Sequence, residues 1–92
     1  MNYNVLFDKR FTTDVESHRK AGRLDLVKKI GVLINELENH PRIGTGKPER
    51  LKHYQGEVWS RRIDIHHRLV YEIRDKELIV IAVAAYGHYG DK

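Results

Sequence analysis

Leu78 to Tyr86 is a run of nine consecutive apolar residues. As a strand it would be apolar on both faces, so it belongs inside a sheet, with a neighbouring strand on each side and cover on its surfaces. It is also the longest apolar run in the chain, and a helix crossing a bilayer takes about 20 such residues. The rest of the chain therefore has to supply the cover. Its 92 residues are enough for one domain, 1–92, with a thin core. There is no cysteine, which excludes a disulfide framework, a zinc knuckle and a thiol nucleophile. Met1-Asn2-Tyr3-Asn4 lacks the basic and apolar regions of a secretory signal. A cytoplasmic setting without membrane attachment is expected.

Two segments carry helical spacing. Leu26, Val27, Ile30, Leu33, Ile34 and Leu37 fall on one face, which predicts a core-packed helix over Arg23 to His40, ended by Pro41. Phe11, Val15 and His18 form a narrower stripe, predicting a largely exposed helix over Lys9 to Ala21 with a Thr13 to Glu16 capping box and Gly22 as its stop. Tyr3 to Phe7 reads as a short strand closed by Asp8. Arg42 to His53 reads as a loop. Glu57 to Ile65 reads as a strand with Trp59, Arg61, Ile63 and Ile65 on one face and Val58, Ser60, Arg62 and Asp64 on the other. In Arg68 to Arg74, Leu69, Tyr71 and Ile73 turn to the core, leaving Arg68, Val70, Glu72 and Arg74 opposite. Asp75-Lys76-Glu77 makes a hairpin with the apolar run. The expected fold is α+β, in the order β-α-α-β-β-β, with a mainly antiparallel sheet, two helices on one face and the other face open.

Charge is concentrated near that open face. The chain has 17 Lys+Arg against 13 Asp+Glu. Between Gly44 and Arg68 lie six of the basic residues, three histidines and only three acids. Such a patch favours phosphate, although it is equally the solvated face of a basic protein. Gly44-Thr45-Gly46-Lys47-Pro48 is not a nucleotide-binding loop, because position 41 is proline where a glycine is needed and position 48 is proline where Ser or Thr is needed. Pro48 instead stiffens the turn that presents Glu49 among Lys47, Arg50 and Lys52. Glu49 is then a candidate base, or a surface acid paired with a neighbouring cation. Adjacent histidines His66 and His67 point to opposite faces of a strand, and no acidic cluster accompanies them, so no metal is expected. The imidazole of His88 titrates near neutrality and can protonate a leaving oxygen. A base, an acid and cations such as Arg68, Arg62 and Lys52 are what metal-free RNA cleavage needs, since RNA brings its own 2′-OH nucleophile. A binding module for RNA or DNA is the other reading of the same residues.

The motifs Gly46-Lys47-Pro48-Glu49-Arg50-Leu51-Lys52-His53, Trp59-Ser60-Arg61-Arg62-Ile63, His67-Arg68-Leu69-Val70-Tyr71 and His88-Tyr89 resemble, in this order, the YoeB/Txe branch of the RelE/ParE type II toxin superfamily. The resemblance implies a microbial RNase-like fold and an mRNA interferase that cuts mRNA in the ribosomal A site without a cofactor. It implies Glu49 as general base, Arg68 as transition-state cation, His88 as general acid and Tyr89 as the orienting tyrosine. Lys52 and Arg62 are implied contacts to the mRNA backbone, and Lys47 and Arg61, from the same basic patch, are expected RNA contacts beside them. The implied partners are the 70S ribosome, mRNA and a small YefM/Phd-like antitoxin, with a homodimer left open. The sequence departs from the family where Gly87 precedes His88 and Gly90-Asp91-Lys92 follow Tyr89. A gyrase-poisoning ParE-like toxin would lack the matched Glu, Arg and His-Tyr set, whereas a non-catalytic ribosome- or RNA-binding relative would keep the fold.

Overall fold

The computed structural model describes residues 2–87. Strand β1 (Asn4–Phe7) leads to helices α1 (Lys9–Lys20) and α2 (Leu24–Leu37), then β2 (Glu49–Arg50), β3 (Glu57–Arg62), β4 (Arg68–Arg74) and β5 (Ile79–Ala84). The sheet runs β1-β5-β4-β3-β2. β1 lies parallel to β5, and the other pairs are antiparallel. The apolar run thus sits between two strands, as its composition requires.

Both helices cover one face. Leu26, Ile30, Leu33 and Leu37 of α2 and Phe11 of α1 pack against Leu69, Tyr71, Ile73, Val80 and Ala82. Each such aliphatic or aromatic side chain contributes about 1.5–3 kcal/mol when fully buried. That stripe, more than its ends, holds α2, whose N-cap Arg23 makes no capping bond through its side chain. The cap of α1 is Asp8, whose carboxylate accepts from Arg10 N at 3.4 Å. The Thr13 to Glu16 capping box is therefore not used: both residues lie within the helix.

Several boundaries differ from the sequence reading, and the apolar run is a strand only over Ile79–Ala84 instead of Leu78 to Tyr86. Helix α2 stops at Leu37 rather than His40, because the Glu38 carbonyl accepts from Tyr3 N at 2.7 Å and is committed to the β1 segment. Strand β3 stops at Arg62, because Asp64 Oδ1 accepts from both His66 N and His67 N at 2.8 Å and tightens a turn that leaves Ile65 76% exposed instead of core-facing. The predicted loop after Pro41 contains β2, with Glu49 opposite Ser60 and Arg50 opposite Trp59. Gly46 permits this approach: its φ is +89°, its carbonyl accepts from Arg62 N at 2.7 Å, and a Cβ there would sit 2.9 Å from Arg62 O.

The second face of the sheet is only partly covered. Val58, Val70 and Ala84 form a small cluster with Leu51 and Val83, giving the otherwise polar face an apolar floor.

Candidate active site

Strand register brings two of the catalytic candidates, Glu49 and Arg68, together on this second face. Glu49 is opposite Ser60, Ser60 is opposite Val70, and Arg62 is opposite Arg68, so alternation aims these side chains the same way. Arg68 Nη2 lies 3.5 Å from Glu49 Oε1, with the arginine side chain 15% exposed and the glutamate 65% exposed. Among the described residues, Arg68 Nη1 and Ser60 Oγ are buried without a hydrogen-bond partner. A guanidinium with an unused donor beside an exposed carboxylate can hold an anion while the carboxylate takes up a proton. Ser60 did not stand out in the sequence, although its place between Val58 and Arg62 already put it on this face.

Two concave regions extend the site. One, of about 320 Å³, is lined by Glu49, Arg50, Leu51, Lys52 and His53. The other, of about 420 Å³, is lined by Lys29, Gly46, Lys47, Arg62, Ile63, Asp64 and Ile65. Lys47, Lys52 and Arg62 are all exposed. Lys29 joins them from α2, a contribution that only the tertiary fold could reveal. Among the described residues, no three His, Asp or Glu side chains are grouped to hold a metal ion.

Arg61 has to be removed from the RNA-contacting set, because its side chain has no exposure. It follows the strand alternation into the helix-covered face, where Nη1 donates to Glu36 Oε1 at 2.7 Å and to Thr45 O at 3.2 Å. Nη2 donates to the carbonyls of His40 and Ile43, and Nε donates to the Tyr71 hydroxyl. Burial pushes the Glu36 carboxyl up, but hydrogen bonds from Thr45 and Arg61 outweigh it and hold the group below its ordinary value.

The chain after β5 is fixed at the edge of the site. Asp14 Oδ2 accepts from Ala85 N at 2.9 Å, and His18 Nε2 donates to Ala85 O at 2.8 Å. Arg68 N donates to Gly87 O at 3.0 Å. His67 Nδ1 accepts from Gly87 N at 3.0 Å, a role for this histidine that spacing alone did not provide. Burial and the nearby His18 hold His67 below the ordinary imidazole range. His88 and Tyr89 lie outside the described residues.

The model of the YoeB-like toxins of bacterial type II toxin-antitoxin systems matches residues 7–89. The chain is 49% identical over 57 residues to Toxin YoeB of Escherichia coli (strain K12), an alignment covering 62% of this chain and 68% of the relative. Among solved structures, the YoeB/ParE toxin from Agrobacterium tumefaciens superposes with a TM-score of 0.84 at 30% identity, covering 94% of this chain and 99% of that one. YoeB in the YoeB-YefM complex from Staphylococcus aureus gives 0.77 at 30% identity, covering 97% and 100%. A YoeB dimer from the same organism gives 0.81 at 31% identity, covering 97% and 100%. The shared fold is the microbial RNase-like one, and this chain belongs to the YoeB-like toxins of bacterial type II toxin-antitoxin systems.

Proposed function

We propose that the chain is a ribosome-dependent endoribonuclease of the cytoplasm that cuts mRNA in the ribosomal A site and so halts translation. The observation that carries this reading is Arg68, largely buried on the open face, 3.5 Å from Glu49 and with Nη1 unused among the described residues. In the scheme, Glu49 takes the proton of the 2′-OH and Arg68 stabilises the charge developing on the phosphorane. His88 protonates the departing 5′-oxygen, and Tyr89 orients the substrate. Lys47, Lys52 and Arg62, with Lys29 beside them, hold the RNA backbone. No cofactor enters the scheme.

The same basic face suits the acidic or mixed-charge tail of an antitoxin, which would fold across it and exclude RNA. The solved YoeB-YefM complex from Staphylococcus aureus supports a partner of that kind, and the YoeB dimer supports self-association.

The test is brief expression without antitoxin, followed by mapping of mRNA 5′ ends against reading frame. Cuts in phase with codons, leaving 2′,3′-cyclic phosphate and 5′-hydroxyl ends without added metal, are expected. Chelator-sensitive cleavage that leaves 5′-phosphates would mean metal-activated water and would remove Glu49 and His88 from these roles.

A further inference from the structure

β5 ends at Ala84, yet the next three residues stay fastened, by side chains of α1 and His67 and by the backbone N–H of Arg68. Ala85 is clamped at both backbone groups by Asp14 and His18 of α1. These two residues are 8% and 2% exposed and occupy inward positions of the helix that an apolar residue would ordinarily fill. Burying them is costly unless their hydrogen bonds are made, and both donate to or accept from residue 85, with Arg10 Nε also 3.7 Å from Asp14 Oδ2. Tyr86 stacks on His18, with ring centroids 5.0 Å apart and planes 15° apart, and its centroid is 4.7 Å from that of His67. Gly87 has φ +79° and, among the described residues, no atom within 4 Å of a would-be Cβ, so glycine serves the backbone conformation there.

We propose that His67 is a positioning residue: its Nδ1 accepts the Gly87 N–H while the Arg68 N–H donates to the Gly87 carbonyl, so the chain entering His88 starts from a fixed point beside Arg68. The proposal rests on the reading of His88 as general acid. Two successive residues, His67 and Arg68, thus grip the two backbone groups of Gly87. This bonding requires a neutral His67 with its proton on Nε2. Burial and the His18 ring favour that state.

The test compares His67→Phe, which keeps an aromatic ring against His18 and Tyr86 but has no acceptor, with His67→Asn, whose Oδ1 can stand in for Nδ1. His67→Phe should lower kcat for ribosome-dependent cleavage by about ten- to a hundredfold while KM stays within about twofold, as expected of a misplaced catalytic group. His67→Asn should recover most of that loss. Hydrogen exchange at the Gly87 amide should be faster in His67→Phe than in wild type or His67→Asn, a readout that needs no activity. If wild type does not cleave, the nuclease reading fails, and the exchange pattern alone decides whether His67 anchors Gly87. Unchanged exchange or unchanged kcat in His67→Phe, or equal defects in both variants, would overturn the proposal. Should His67→Phe not fold, His67→Leu supplies the same comparison.

Discussion

Arg61 and Arg68 sit on neighbouring strands and are used in opposite ways. Arg61 points under the helices, has no exposure, and donates to a carboxylate, a phenol and three carbonyls. Arg68 points to the other face, where its side chain is also mostly buried, but it has one long contact to an exposed carboxylate and a buried Nη1 without a partner among the described residues. Hydrogen bonds to a charged group are worth about 1.5–3 kcal/mol each, and a buried unmade one costs as much. A guanidinium whose donors are all met is tied into the architecture. One left short of partners retains capacity for an anion that arrives later.

The sharpest way to break this contrast is Arg61→Ala. It takes the buried cation from Glu36, which keeps only its bonds from Thr45, and a donor from the Tyr71 hydroxyl and three loop carbonyls, and should cost about 3–5 kcal/mol, a large part of the roughly 5–15 kcal/mol that holds such a domain together. Urea denaturation measures it, and a midpoint equal to wild type would disprove the structural role. Arg68→Ala should do the reverse. Single-turnover cleavage should fall by about a hundredfold or more, a loss of about 3 kcal/mol of transition-state stabilisation, with the urea midpoint unchanged. A wild-type rate would remove Arg68 from the mechanism.

Acid should probe the Arg61 side of the comparison. The Glu36 carboxyl is held below its ordinary value of 4.5 in the folded protein, so its stabilisation is complete above that pH and drains away as pH falls through the lower folded value. Wild type should lose stability faster than Glu36→Gln over that acid range, by less than the Arg61→Ala effect; parallel curves would show that Glu36 is not linked to folding. Ser60→Ala carries the smallest expected effect. Removing a buried hydroxyl that has no partner among the described residues should change stability by no more than about 1 kcal/mol, in the stabilising direction. A clear loss of stability would mean that the hydroxyl is bonded in the folded protein.

Local pattern was enough for the four longer strands and for the outward face of Arg68, because alternation along Arg68–Arg74 separates Leu69, Tyr71 and Ile73 from their polar neighbours. The same alternation put Arg61 beside Trp59 and Ile63, but its charge suggested RNA, since the Glu36 carboxylate and the carbonyls of the 40–45 segment meet it only after folding. β2 was illegible for a related reason: Glu49-Arg50 is a strand only because β3 offers an edge. Asp14, His18 and His67 gave no periodic signal of their shared task, as their common target is the backbone of residues 85–87.

The pairing of Asn4 with Ile79 also dictates an order of events during synthesis. Domains assemble as their residues leave the ribosome, and contacts distant in sequence wait for the later partner. Until Ile79–Ala84 has emerged, β1 lacks its neighbour, Val80 and Ala82 are missing from the core, and Asp14 and His18 have no residue 85 to grip. A nascent chain of this toxin therefore cannot assemble the anchored edge of its own site before almost all of the described sequence has been translated.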